Sequence, residues 1–322
     1  MRIDLQPWGE TMTELVAAAR AAEAAGAGVV WAPELHRSAF VTAAALAAGT
    51  TGIGVGTGIA LAFARSAMLT ALAAADLDEL AEGRFRLGLG TGVARLNQDW
   101  HGVPFERPVE RLRDTVAIVR AVLAGGDPIT HRGVRSIRMR GWRRPYPPVR
   151  DHIPIYLAGV GPAMVALAGE VADGWIAHEL CPPATLRGLV LPDRSSFDVV
   201  AAACCSVDQD ERTARRRAAN VVGFYASVRT YAGTFKDFPE VCDKATNAIK
   251  NGQAADSLGH LIPDEMVDAF TIAGTPRQCA EKIKTYDGLA NAVKLSPPSY
   301  GLPPDEVREA QHRLLELVGS LR

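Results

Sequence analysis

Gly83-Arg84-Phe85-Arg86-Leu87-Gly88-Leu89-Gly90-Thr91-Gly92 is the stretch whose reading decides the fold. Side chains alternate along a strand, so Phe85, Leu87, Leu89 and Thr91 share one face. The other face carries Arg86 and then Gly88, Gly90 and Gly92. Upstream, Ile53-Gly54-Val55-Gly56-Thr57-Gly58-Ile59 repeats the pattern, with three glycines on one face. Glycine weakens a strand interior and marks the close approach of a ligand or another backbone. Two readings follow. Either the two glycine faces leave room for a flat ligand near the strand ends, or two close-packed barrel strands use glycine to admit bulky neighbours.

Outward from these strands the chain alternates strand and helix. Strands are predicted over 2–6, 29–31, 53–59, 85–90, 153–158, 175–178, 197–205 and 292–295. Helices are predicted between them, with Thr13 capping the first and Ser66 capping the one that ends at Gly83. Pro108 opens a helix whose Leu112, Val116 and Val119 repeat at helical spacing up to Gly125-Gly126. Residues 129–140 form a basic excursion with the alternation of a surface hairpin. Residues 231–264 show short helices and no strand, as in an insertion before the last strand. Asp210 opens a long helix in which Arg215-Arg216-Arg217 reads as a solvated face. Eight strands with crossover helices argue for an α/β fold, a (β/α)8 TIM barrel, as one domain over 1–322.

The bulk numbers set limits. The 322 residues are 48% hydrophobic and 22% charged, the balance of a globular enzyme. A formal net charge of -1 gives no electrostatic reason to expect nucleic acid or an anionic membrane surface as partner. No signal peptide is visible, and the alanine-rich runs are too short to span a bilayer, so a cytoplasmic location is expected. None of the five cysteines makes a C-x-x-C pair or a zinc-like spacing with histidine. Buried, inert thiols are expected.

In a barrel the chemistry belongs to loops at the C-terminal strand ends. That rule selects Trp8, Glu34, His36, Thr57-Gly58-Ile59, Thr91-Gly92, the loop from Gly159 to Pro162, His178 and Glu179. Glu34 and His36 could move protons, or could hydrogen-bond loop backbone; His178 and Glu179 invite the same two readings. Gly159-Val160-Gly161-Pro162 joins a strand to a helix, and free N–H groups at that helix N-terminus suit a phosphate. No G-x-G-x-x-G follows the first strand, which argues against a dinucleotide-binding fold.

Gly83-Arg84-Phe85-Arg86-Leu87-Gly88-Leu89-Gly90 closely resembles the G-R-F-x-L-G-L-G motif of the bacterial-luciferase-like superfamily. It is most similar to the branch that uses the deazaflavin coenzyme F420. The stretches from Gly56 to Arg65, from Ala158 to Met164, and from Ala168 to Gly174 support the resemblance in the same order. It implies a barrel, often a homodimer, with the insertion near 231–264. It further implies a non-prolyl cis peptide at the end of the third strand, which position places at Gly58-Ile59. The resemblance puts the bulge of Thr57, Gly58 and Ile59 behind the cofactor ring and Thr91 and Gly92 beside it. Gly159, Gly161, Pro162, Ala163 and Met164 match the segment that holds the cofactor phosphate.

The implied activity is hydride transfer between coenzyme F420 and a small organic substrate, with the coenzyme reduced by a separate reductase. Glu34 or His36 would relay a proton. Many relatives carry Asp-His or Glu-x-x-His after the second strand, whereas the order here is Glu34-Leu35-His36-Arg37. The alternatives are an FMN-dependent two-component monooxygenase and a non-catalytic flavin-binding barrel.

Overall fold

A computed structural model of the chain, which describes residues 1–321, is a (β/α)8 barrel. Its barrel strands are β1 (Arg2–Leu5), β2 (Val29–Ala32), β3 (Gly54–Thr57), β4 (Phe85–Gly90), β5 (Ile155–Ala158), β6 (Gly174–Ile176), β7 (Asp198–Val207) and β8 (Ala292–Ser296). Among the described residues no helix is long and apolar enough to cross a membrane. The chain divides into two compact units, one comprising Val29–Ile176 with Val190–Val199 and the other the remainder.

In the first unit β2 to β6 run parallel, in sequence order. Large and small side chains alternate in its interior. The fully buried Trp31 ring lies over Gly56, where a Cβ would come within 2.5 Å of it. Tyr156 likewise fills the space over Gly174, and its hydroxyl donates to Asp198 at 2.7 Å. The two rings meet edge-on, 5.3 Å between centroids. The glycine faces of β3 and β4 are therefore occupied by protein, and the second of the two sequence readings holds. Gly56 admits Trp31, and Gly90 admits Ile59, whose Cδ1 lies 2.8 Å from where a Cβ would stand.

The helices flanking these strands begin as their sequences dictate. Ser66 accepts from Leu69 N–H at 3.1 Å and starts Ala67–Leu80. Pro108 occupies the first turn of Pro108–Ala124. The arginine that opens the glycine-faced motif acts mechanically. Arg84 donates to the carbonyls of Ile53 (2.6 Å) and Thr50 (3.1 Å), which pins the loop leading into β3. The hairpin expected at 129–140 is present as Ile129–His131 paired antiparallel with Ile137–Met139.

In the second unit β1, β8 and β7 run side by side in parallel. Two local expectations are corrected here, and one short strand is added. The first helix, Met12–Ala25, is capped by Thr11, not Thr13: Thr11 is the extended residue whose hydroxyl accepts from Glu14 N–H at 3.1 Å. A short strand, Ile272–Gly274, extends the end of β7 and has too few residues to show a periodicity. Arg217 is not on a solvated face. Its side chain is 4% exposed and pairs with Asp208 (2.9 Å) and Glu306 (2.8 Å), so partners distant in sequence turn a charge run inward. Arg215 pairs with Asp268 at 2.6 Å. The insertion comprises Arg229–Phe235, Pro239–Lys250 and further short helices up to Asp264–Phe270. Phe235, Leu258 and Met266 pack it onto the helix Glu211–Ala226. Four cysteines are buried, and burial pushes the Cys181 thiol up to about 12.

Candidate active site

The site in the first unit is built around an irregularity between β3 and β4. Val55 and Gly56 stand opposite Phe85 and Arg86, but Ala60 and Leu61 stand opposite Leu89 and Gly90. Three residues on one side thus face two on the other, which is the definition of a bulge. The peptide Gly58-Ile59 within it is cis. Thr57 replaces the interrupted ladder: its buried hydroxyl accepts from Gly88 N–H (2.9 Å) and donates to Gly88 O (2.7 Å). Gly88 cannot carry a side chain, because a Cβ there would overlap the Thr57 carbonyl oxygen.

The loop leaving the bulge is fastened by two charged groups. Glu34 receives two N–H bonds from Arg65, at 2.6 and 2.5 Å, and one from Leu61 N–H at 2.8 Å. It also accepts from Ala39 N–H, at the start of the next helix, at 3.4 Å. Both carboxylate oxygens are committed, so Glu34 is a positioning residue and not the free proton relay expected of it. His36 is exposed on the same loop and makes no hydrogen bond or ion pair with any described residue. The second fastener comes from the hairpin. Arg135 donates to the carbonyls of Ala62 (3.0 Å), Arg65 (3.1 Å) and Phe63 (3.2 Å). Asp114 holds the hairpin itself through Arg135 N–H and His131 Nε2, both at 2.8 Å. Burial raises the Asp114 carboxyl, but the bond from Arg135 N–H and the His131 contact outweigh it and hold it below the ordinary value.

Thr91 and Gly92 form the turn after β4. Gly92 has φ +65°, and Asn97 donates to Thr91 O (2.7 Å) and Val93 O (3.0 Å) across it. Gly159 packs against Met164, and its carbonyl accepts from Trp175 Nε1 at 3.0 Å. Beyond it Gly161, Pro162 and Ala163 are exposed, and no side chain caps the helix Pro162–Val171. A Cβ on Gly161 would meet nothing within 4 Å, so no other group crowds the backbone there.

The second unit places a separate polar group at strand ends. Lys294 on β8 is buried, donates to Gln6 at 2.8 Å and pairs with Glu179 at 3.3 Å. His178 stands next to Glu179 among Tyr225, Tyr231 and Tyr300. The strand-end rule selects His178 and Glu179, but nothing local in the sequence signals Lys294, Gln6 or the tyrosines, which come from distant segments. The same is true of Arg65 and Arg135, whose own stretches of sequence show a charge and no partner. Trp8 is tied by its backbone to Gln311, whose side chain accepts from Trp8 N–H at 2.7 Å.

Comparison with known proteins adds to this geometry. A family model described as luciferase-like monooxygenase matches residues 2–290. The 5,10-methylenetetrahydromethanopterin reductase of Methanolobus tindarius is 31% identical over 300 residues, spanning 87% of this chain and 89% of that protein. A Mycobacterium tuberculosis protein, provisionally named a coenzyme F420-dependent oxidoreductase, is 30% identical over 314 residues, covering 85% of this chain and 88% of its own. Among solved structures, the coenzyme F420-dependent tetrahydromethanopterin reductase from Methanopyrus kandleri superposes with a TM-score of 0.80 at 24% identity, over 99% of this chain and 96% of that one.

Proposed function

Because the chain belongs to the luciferase-like monooxygenase family, we propose that it is an oxidoreductase that uses coenzyme F420 to transfer a hydride to or from a small organic substrate. The carrying observation is the bulge at Gly58-Ile59, locked by Thr57 and Gly88, with an uncapped helix N-terminus in the same compact unit. Trp31 fills the side of Gly58 that lacks a Cβ and the Ile59 side chain packs on Gly90, so the half-buried Gly58-Ile59 peptide presents its backbone, a surface suited to the face of a planar ring. Thr91 and Gly92 border it in the proposal, and the helix start at Gly161, Pro162, Ala163 and Met164, whose first three residues are exposed, receives the phosphate. Glu34, Arg65 and Arg135 hold the loop rigid. His36, free on the adjoining loop, is the proposed proton carrier. When bound, the deazaflavin supplies the hydride chemistry, and this chain supplies placement.

The relatives near 30% identity favour the deazaflavin, one of them by its name. The test is a fluorescence titration of purified protein with coenzyme F420 and with FMN. Saturable binding of the former, at least about tenfold tighter, is expected. Tight FMN binding without deazaflavin binding refutes the proposal and leaves the monooxygenase activity that the family's description favours, which oxygen uptake with reduced FMN would then reveal.

A further inference from the structure

His178 lies two residues beyond β6, in the polar group that the cofactor cradle leaves unused. Its Nδ1 accepts from Leu180 N–H at 3.3 Å, which leaves the ring proton on Nε2. Nε2 is shielded from solvent and meets no hydrogen-bond partner among the described residues. Burial, and then the nearby Lys294 charge, lowers the imidazole pKa to about 3, so the ring is neutral at physiological pH. It is also held in place, edge-on to Tyr225 at 4.4 Å between centroids and tilted over Tyr231 at 4.2 Å. Phe224, Tyr225, Tyr231 and Tyr300 are half-buried, and the hydroxyls of Tyr225 and Tyr300 stand 3.4 Å apart. Burial keeps these phenols protonated.

The charge balance of this cluster narrows what it can bind. Lys294 is its cation, and Glu179 neutralises it. A phosphate or carboxylate would find no uncompensated positive charge and would meet Glu179. What the cluster offers is aromatic surface and one fixed, neutral N–H donor whose desolvation an acceptor would relieve. We infer that this group is the substrate subsite, and that His178 Nε2–H donates to the carbonyl or imine acceptor of an uncharged, ring-bearing substrate packed against Tyr225, Tyr231 and Tyr300. The inference rests on the proposed oxidoreductase only for the word substrate; the binding chemistry stands on these residues.

The probes are acetophenone and benzoate, which share a ring and a carbonyl carbon but differ in charge. Their binding is measured calorimetrically, with and without saturating coenzyme F420. Acetophenone should bind at least about tenfold more tightly than benzoate, and His178→Phe should weaken acetophenone about tenfold, the worth of one hydrogen bond, while His178→Gln restores it to within about threefold. Equal binding of the two probes, no binding of either, or no effect of His178→Phe overturns the inference. Should His178→Phe not fold, the 15N resonance of Nε2 in histidine-labelled wild-type protein decides: acetophenone must shift it and benzoate must not. Deazaflavin binding is read in the same samples. Its failure alongside a persistent acetophenone preference defeats the proposed function and not this inference; the reverse pattern defeats only the inference.

Discussion

Gly88→Ala is the substitution that separates the two readings of the glycine-faced strands. The added Cβ would overlap the Thr57 carbonyl oxygen and stand 3.1 Å from the carbonyl carbon and 3.2 Å from Ile176 Cδ1. The Ile176 methyl can give way, but the Thr57 carbonyl is backbone, so the bulge must move. Overpacking a buried site by one methyl destabilises by about 1–3 kcal/mol. Moving Thr57 also breaks its two bonds to Gly88, at 2.9 and 2.7 Å, each worth about 1 kcal/mol. The sum is about 3–5 kcal/mol, which for a chain of 322 residues lowers Tm by about 4–7 °C. The matched control is Gly161→Ala, where a Cβ meets nothing within 4 Å and φ is -79°; its Tm should stay within about 1 °C. Differential scanning calorimetry on both variants gives the answer. If Gly88→Ala keeps the wild-type Tm while losing only cofactor affinity, the glycine faces a ligand and the packing argument is wrong.

Other perturbations test other parts of the site. Glu34→Gln breaks the pair with Arg65, whose side chain is 28% exposed, and should lower stability by about 1–3 kcal/mol in urea melts, while the pH profile of turnover keeps its shape. A lost limb in that profile would return Glu34 to the proton path. Arg135→Ala removes the guanidinium from three loop carbonyls; hydrogen exchange at residues 62–65 should quicken, and unchanged protection would count against the strap. His178 titrates at about 3 when folded and near its ordinary value when unfolded, so the unfolded state binds the extra proton between these values. Its contribution is complete above about pH 6.5 and declines by up to about 1.4 kcal/mol per unit toward pH 3; His178→Gln should flatten Tm against pH in that window. Asp173 behaves differently: burial raises it, but Ile155 N–H and Arg120 outweigh burial and hold it low. Its contribution is present above about pH 4 and lost below, and Asp173→Asn should remove that acid-side fall.

The order of strands, the Ser66 cap and the hairpin were legible because each is written in consecutive residues as periodicity, a capping hydroxyl or alternation. The placement of the cis peptide came from resemblance and not from spacing. What was not legible has a common form. The partner of Glu34 lies 31 residues away, and the hairpin arginine reaches a carbonyl 73 residues away. Arg217 reads as one of three equivalent arginines until Asp208 and Glu306 are brought to it. Local sequence shows a charge but not whether a counter-charge arrives, and that arrival decides between a solvated group, an anchor and a reactive one.

Glu34 and His178 show how this reverses a choice between two loops. Both follow barrel strands, and both stand beside a second titratable residue, so position alone ranks them equally. Glu34 receives an arginine and two backbone N–H groups, which satisfies it and converts it into a fastener. His178 has one nitrogen satisfied by Leu180 and the other left facing aromatic rings, with the neighbouring charges of Lys294 and Glu179 cancelled against each other. A group whose hydrogen-bonding capacity is exhausted by the fold can only position others. A shielded group with one donor in reserve and no net charge beside it is poised to recognise a neutral acceptor. On that inference the substrate contact is sought at the end of β6, while Glu34 in the loop after β2 holds the bulge still.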